Sequence, residues 1–411
     1  MKTVIRPETE MKDSGIDTVE KMPLSWNKIR LKNLVKIRTG NEDTKNATPN
    51  GKYRFYVRSP IVERCDRYTF EGEAILVAGD GAGAGRIFHL VDGRYAVHQR
   101  VYCLSDFKYN AKFIHYYLGN LFPFEMDKGS AQSTVPSMRL PMLLNFKLVL
   151  PGENECLKII DYLDETFSKI DEIIAEAKAS IDEYKELKQS ILCDAVLRGL
   201  NSQVALKNSG ALWIGMIPEH WQTSKLKWHL RRMDPKNPGE KEVLSLYRDY
   251  GVIPKNSRTD NHNVTSEDTS KYKYVKIGDF VVNKMKAWQG SVAVSDYEGI
   301  VSPAYYVYYF LDDVFNKRYF HYLLRSCYKE EFMRLSGGIR IGQWDLSSNN
   351  LDNIILLIPP KNEQDDIVEY LDKRLPQIDS LISEKESLIN DLEAYKKSLI
   401  YEVVTGKRRV V

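Results

Sequence analysis

No run of apolar residues approaches the roughly 18–20 that a membrane helix needs, so a membrane-spanning role is excluded. The five cysteines (Cys65, Cys103, Cys156, Cys193, Cys327) are scattered, odd in number and never spaced Cys-x-x-Cys. That argues against a disulfide framework and against a structural zinc site. The stretch from Met1 to Thr18 is polar and charged and lacks the apolar core of a secretory signal, so a cytoplasmic chain is expected. Catalytic signatures are missing as well. There is no (Asp/Asn)-Pro-Pro-(Tyr/Phe) loop of an adenine methyltransferase: Pro359-Pro360 lacks both flanks, and Asp234-Pro235-Lys236-Asn237-Pro238 has the wrong order. There is no His-Glu-x-x-His, no Gly-x-Ser-x-Gly and no Pro-Asp…Glu-x-Lys pattern. What is present is globular: 411 residues, 43% hydrophobic and 28% charged, with 25 Tyr, 14 Phe and 6 Trp. This is enough chain for two or three domains.

The chain repeats itself. Lys12-Asp13-Ser14-Gly15 and Met22-Pro23-x-x-Trp26 return 195 residues later as Lys207-Asn208-Ser209-Gly210 and Ile217-Pro218-x-x-Trp221. Phe113-Ile114-His115-Tyr116 matches Tyr319-Phe320-His321-Tyr322. At an offset of 208, Leu150-Pro151-x-x-x-Glu155 matches Ile358-Pro359-x-x-x-Glu363, Tyr162-Leu163-Asp164 matches Tyr370-Leu371-Asp372, and Ile170-Asp171 matches Ile378-Asp379. The centres of the halves match poorly. This is a duplicated unit of about 200 residues, not a solenoid.

Each half ends in a long helix. Glu153–Leu197 contains no proline, and apolar residues alternate in fours and threes at Leu163, Phe167, Ile170, Ile174, Ala177, Ile181, Tyr184 and Ile191. The second half repeats the seam at Leu371, Leu375, Ile378, Ile382, Ile389, Leu392, Leu399 and Val403, with Lys385 and Lys396 as polar interruptions and Leu381, Leu388 and Tyr395 as a neighbouring stripe. About 40 residues at about 1.5 Å each make a rod of roughly 60 Å. Burying each seam Leu or Ile is worth roughly 1.5–3 kcal/mol, so each rod is expected to pair with the other. Pro376 is expected to kink the second rod or start a new segment. The rods either only hold the fold together or also dock a partner. Elsewhere, short β-branched or aromatic strands are expected, at Ala74–Val77, Tyr95–Val97, Tyr305–Phe310 and Ile354–Ile358. Short helices are expected at Phe113–Leu118 and Tyr319–Leu324. The fold class is therefore α+β, with two tandem domains each followed by a long helix.

Charge sorts onto these parts. The rods are acidic, with 12 Asp+Glu against 5 Lys+Arg in 153–197 and 11 against 6 in 361–405. The globular parts are basic, with 23 Lys+Arg against 16 Asp+Glu in 1–152 and 22 against 17 in 198–360. The domains, and not the rods, are suited to meet a polyanion.

Two loop pairs carry the candidate chemistry. Gly79-Asp80-Gly81-Ala82-Gly83-Ala84-Gly85-Arg86 follows a strand, but the residues after it read as another strand and no Lys-Ser/Thr follows. A flexible turn that brings backbone near a ligand, with Arg86 at its edge, fits better than a nucleotide loop. Its counterpart, Asn283–Gly290, offers Lys284, Lys286, Trp288 and Gln289, side chains that hold phosphates and read or stack on bases. The second pair is Lys128–Arg139, with Lys128, Ser130, Gln132 and Arg139, and Arg334–Asp345, with Arg334, Arg340 and Gln343. Each is a ligand-binding loop or a plain surface loop. His115 and His321 read as packed helix residues, and Trp26 and Trp221 as core anchors.

The frame of Pro-x-x-Trp, variable domain, Pro-x-x-x-Glu and long helix, given twice, resembles the specificity subunit of type I restriction-modification systems, the HsdS family. The phrases Lys286-Ala287-Trp288-Gln289-Gly290, Gly299-Ile300-Val301-Ser302-Pro303-Ala304-Tyr305, Gly342-Gln343-Trp344-Asp345-Leu346, Tyr370-Leu371-Asp372 and Val403-Val404-Thr405-Gly406 carry the resemblance over essentially the full chain. It departs at Gly79–Arg86. The resemblance implies target recognition domains at 1–152 and 200–360, each reading one half of a bipartite site in double-stranded DNA. It implies conserved helices at 153–199 and 361–411, packed as an antiparallel coiled coil that spaces the half-sites and docks two methyltransferase (M) subunits. Restriction (R) subunits join through the complex. S-adenosylmethionine, ATP and Mg are expected on those partners and no cofactor on this chain, which is itself not an enzyme. Two rivals are a stand-alone methyltransferase or nuclease with degenerate motifs, and a coiled-coil scaffold that binds DNA non-specifically.

Overall fold

The motifs that repeat between the halves are, within each half, one another's partners. The computed structural model describes residues 2–129, 136–236, 238–248, 250–258, 268–338 and 344–411. Contacts divide it into two units, Met1–Lys178 with Glu386–Val411, and Ala179–Lys385. The long helices run Glu153–Arg198 and Lys361–Val404, so each unit holds a segment of both rods.

In the first unit Trp26 is 1% exposed, and its indole N–H donates to Glu155 Oε2 at 3.0 Å. Phe113 meets the same indole edge-on at 6.5 Å. Asn27–Arg30, just after the Trp, pairs antiparallel with Lys147–Leu150, just before Pro151. Tyr116 on the helix Ala111–Gly129 donates its hydroxyl to Asp164 Oδ1 at 2.6 Å, and Lys112 pairs with the same carboxylate at 2.5 Å. One four-stranded sheet has the order Phe88–Val91, Ala74–Ala78, Val101–Ser105, Lys36–Thr39; a second has Glu63–Cys65, Tyr53–Tyr56, Arg94–Val97, Phe70–Glu71. The chain ends close this unit: Thr3–Ile5 pairs with Arg408–Val410. Gly406 sits at φ +77°, where a Cβ would fall 2.4 Å from Pro23 and 3.1 Å from Trp26, so only glycine lets the second rod end on this core.

The second unit repeats the frame. Trp221, 0% exposed, donates to Glu363 Oε2 at 2.8 Å. Gln222–Lys225 pairs with Ile355–Ile358. Tyr322 donates to Asp372 at 2.5 Å, and Arg318 pairs with the same group at 2.7 Å. A four-stranded sheet has the order Leu230–Met233, Tyr305–Phe310, Phe280–Asn283, Val292–Val294. Gly199, at φ +76°, would place a Cβ 3.1 Å from Trp221, the counterpart of Gly406 on Trp26.

The rods bury the expected seam over most of its length. Leu163, Phe167, Ile170, Ile174, Ala177 and Ile181 are buried on the first, and Leu371, Leu375, Ile378, Ile389, Leu399 and Val403 on the second. Leu381, Leu388 and Tyr395 remain exposed. The polar seam residue Lys396 pairs with Asp171 at 2.6 Å and lies 4.8 Å from the Phe167 ring, both within the first unit. In the second unit Lys188 pairs with Asp379 at 2.5 Å. Pro376 starts no new segment, because the helix is continuous through it; the surrounding turns outweigh the loss of one N–H. The helix expected at Phe113–Leu118 runs on through Pro123 to Gly129. No helix among the described residues is long and apolar enough to cross a membrane.

His321 lies on the helix Lys317–Tyr322 and its Nε2 accepts from Arg325 Nη1 at 3.2 Å. Burial first, then the charges of Arg325 and Arg318, push its pKa down to about 4. The unfolded value is about 6.5. Between the two the unfolded chain binds a proton that the folded chain refuses, so stability falls as pH drops from about 6.5 to about 4, by up to about 3 kcal/mol. Urea midpoints at pH 7 and pH 5 measure this. His321→Gln should lessen the dependence, leaving the share of His89, His98 and His115, whose pKa values burial also lowers, and an unchanged slope in that variant would remove His321 as a source.

Candidate nucleic-acid interface

In both units the first candidate loop is held by the same hydrogen bond, to the second loop in one unit and to the residue just after it in the other. In the first, the strand Ala74–Ala78 runs into Gly79, whose carbonyl accepts from Met138 N at 2.8 Å. In the second, the strand Phe280–Asn283 runs into Lys284, whose carbonyl accepts from Leu346 N at 3.0 Å. A segment distant in sequence is thereby laid beside the end of a central strand. This is how a rigid sheet presents variable side chains on loops.

The first loop pair is a packed turn. Gly81 N donates to Pro136 O at 3.0 Å, and Gly85 N to Ala78 O at 2.8 Å. A Cβ on Gly85 would fall 2.5 Å from Met126, so this glycine allows close packing on the helix Ala111–Gly129. Arg86 pairs with Asp127 of that helix. Asp80 gathers Arg58 at 3.0 Å and Arg100 at 3.7 Å. These two arginines come from separate segments, and no spacing in the sequence marks them as neighbours. Lys128 lies in the last turn of the helix and not in the loop, where it pairs with Asp17 at 2.9 Å and Glu125 at 3.3 Å. Its hydrogen bond to Asp17 raises its pKa, and a cation is favoured at that end of a helix. Arg139 is exposed, with no ion pair among the described residues.

The second pair is built from aromatics and cations. Trp288 and Trp344 meet edge to face at 5.6 Å, and the Trp288 indole donates to Met285 O at 3.1 Å. Lys284 pairs with Asp345 at 3.3 Å. Lys286 is exposed beside them, with no ion pair among the described residues, and Gln289 is half-buried. Arg334 sits in the helix Lys329–Leu335 and not in the loop. It binds Glu331 bidentately at 2.6 and 2.7 Å, one helical turn away, and that contact raises its pKa. Ser130, Gln132, Arg340 and Gln343 lie outside the described residues. Among the described residues Arg139 and Lys286 thus have no acidic partner, whereas Arg86, Lys128, Lys284 and Arg334 would each have to exchange a carboxylate for a phosphate. Among the described residues no group of three or more His, Cys, Asp or Glu could hold a metal ion.

The type I restriction modification DNA specificity domain matches residues 23–183 and again 218–393, once over each half. The chain is 19% identical to the EcoDI type I restriction enzyme specificity subunit of Escherichia coli, covering 94% of this chain and 89% of that protein. It is 24% identical to the MjaVIII specificity subunit of Methanocaldococcus jannaschii, covering 95% and 94%. Among solved structures, a chain from work on assembly and conformational transition of the type I R-M system superposes with a TM-score of 0.67 at 15% identity, covering 94% and 99%. The HsdS subunit of Thermoanaerobacter tengcongensis superposes at 0.50 with 16% identity, covering 94% and 98%. With the doubled frame, the doubled loop pair and a family match over both halves, this chain belongs to the type I restriction-modification DNA specificity family.

Proposed function

We propose that this chain is the non-catalytic DNA-reading subunit of a type I restriction-modification complex, in which each loop pair reads one half of a bipartite duplex site. The supporting observation is the recurrence of one hydrogen-bonded loop frame, Gly79 with Met138 and Lys284 with Leu346, carrying different side chains in each half. A shared frame with different contents is what reading two different half-sites requires. Phosphate contacts would position the chain and groove contacts would specify. The rods would pair antiparallel, space the half-sites and dock two M subunits, with R subunits joining through the complex. The pairs Lys396–Asp171 and Lys188–Asp379 fall in one antiparallel register, and exposed Leu388 and Tyr395 leave apolar surface for a partner. S-adenosylmethionine, ATP and Mg would be held by those partners.

A genome-wide map of N6-methyladenine with and without the gene tests this reading. Loss of one bipartite motif is expected. An unchanged map, with DNA binding that is salt-dependent and indifferent to sequence, would favour the scaffold instead. At the residue level, Lys286→Ala in the assembled complex should weaken binding evenly across sequences and lower the slope of log affinity against log salt by about 1. Arg340→Ala should instead cost about 1–3 kcal/mol at one base pair only. An even loss for Arg340→Ala would make it a phosphate contact.

A further inference from the structure

A cavity of about 960 Å³ in the second unit holds two of the five cysteines, and it lies apart from the paired loops except for Gln289 and Gly290 at its edge. Cys193 comes from the first rod, and Cys327 ends the π turn Leu323–Cys327. Both thiols line this cavity, and each is the leading influence on the other's pKa. Gln189, one turn before Cys193, fixes the pair: its Nε2 lies 3.1 Å from Cys193 Sγ and donates to the carbonyl of Ser326 at 2.9 Å. Both thiols are part-exposed. The other three, Cys65, Cys103 and Cys156, are buried, and burial pushes each of their pKa values up.

The cavity wall is cationic. Lys185, Lys188, Arg248, Arg318, Arg325 and Lys329 line it against Glu330, Asp372 and Asp379. Lys188, Arg318 and Lys185 pair with Asp379, Asp372 and Asp182, and by count the lining carries six cationic side chains against three acidic ones. Such a site gathers small anions and stabilises a thiolate. Within the pair the roles differ. Cys327 lowers the Cys193 pKa, and Cys193, with burial, raises that of Cys327.

We propose that Cys193 and Cys327 form a thiol–disulfide exchange site for anionic low-molecular-weight disulfides, with Cys193 attacking and Cys327 resolving. The Cys193 thiolate attacks one sulfur of the disulfide, forming a mixed disulfide and expelling one thiolate. That thiolate takes up a proton. Cys327 then gives up its own proton and attacks Cys193 Sγ, forming the Cys193–Cys327 bond and releasing the second small thiol. Two protein thiols are oxidised and one small disulfide is reduced to two thiols. In a reducing compartment such a bond is transient, which suits modification better than structural bracing. When formed, it ties the first rod to the turn Leu323–Cys327.

The test uses the full, reduced chain with oxidised glutathione as probe, read by intact mass and peptide mapping. The wild type is expected to lose two hydrogens, mapped to Cys193 and Cys327. Cys327→Ser should instead accumulate one glutathionyl group on Cys193, and Cys193→Ser should gain none. Normalised to a free reference thiol, oxidised glutathione should react about tenfold faster than the cationic disulfide cystamine at low salt, with the ratio falling toward one as salt rises. If either serine variant fails to fold, the wild-type map alone decides. A bond or adduct at any other cysteine, no modification at all, or faster reaction with cystamine would overturn the proposal.

Discussion

Trp221→Ala is expected to remove about 3–5 kcal/mol of stability from the second unit, the usual cost of emptying a buried Trp site. The side chain is fully buried in a core that includes Leu226, Tyr319, Leu356, Ile367 and Leu371. Its removal opens a cavity where the strand Gln222–Lys225, the helix Lys317–Tyr322 and both rods converge. The lost hydrogen bond adds less. Glu363 is part-exposed and keeps His220 at 2.6 Å, so its carboxylate is not stranded. Glu363→Gln therefore separates the contributions: it keeps an acceptor for the indole and should cost about 1 kcal/mol. Since domains are stable by only about 5–15 kcal/mol, the Trp variant should lie near its unfolding threshold. Urea unfolding followed by circular dichroism measures both. A Trp221→Ala loss below about 1 kcal/mol would mean that the core closes over the gap, and that the repeated Pro-x-x-Trp is not the anchor of each half.

The same residues mark what could be read without the structure. The duplication, the rods and their buried seams follow from local pattern, because a heptad stripe is legible wherever it must be buried. Trp26 with Glu155 and Tyr116 with Asp164 are 129 and 48 residues apart. Their recurrence in both halves was visible, but their partnership was not, since no local property of a Glu says which indole it accepts from. Lys128 and Arg334 lie on helices and not in their loops for a related reason. Each pairs with an acid three residues earlier, Glu125 and Glu331, and so extends a helix into what composition marked as loop. The centres of the halves were opaque because their sheets differ. The first unit makes a parallel pair between Arg94–Val97 and Tyr53–Tyr56; the second places antiparallel pairs at Leu244–Tyr247 with Gly251–Pro254 and Lys273–Val275 with Gly299–Val301. Of these, the parallel pair and the pair Lys273–Val275 with Gly299–Val301 join segments distant in sequence, and such pairings have no periodic signature. At the candidate interface Arg58 and Arg100 were invisible because only folding brings them to Asp80.

If the rods set the spacer, inserting one heptad after Ile181 and another after Lys385 should lengthen the recognised spacer by about three base pairs. These two points face each other in the register of Lys396–Asp171 and Lys188–Asp379, so a matched insertion keeps both ion pairs. Seven residues add about 10 Å of rod, against about 3.4 Å per base pair. The seam survives, because a heptad turns the face by only about 20°. The duplex is less forgiving: three of the 10–10.5 base pairs of a turn rotate the second half-site by roughly 100°, away from its reader. One heptad should therefore move the spacer and weaken binding. Three matched heptads add about 32 Å, close to the roughly 34–36 Å of a full duplex turn. They should lengthen the spacer by nine or ten base pairs and restore much of the affinity. A heptad in the first rod alone should break the register and cost stability without setting a new spacer. Binding of the assembled complex to duplexes graded in spacer length reads all three variants. An optimum that stays at the wild-type spacer in the matched insertions would defeat the ruler; an optimum that moves without recovery at three heptads would mean that length, and not groove phase, limits recognition.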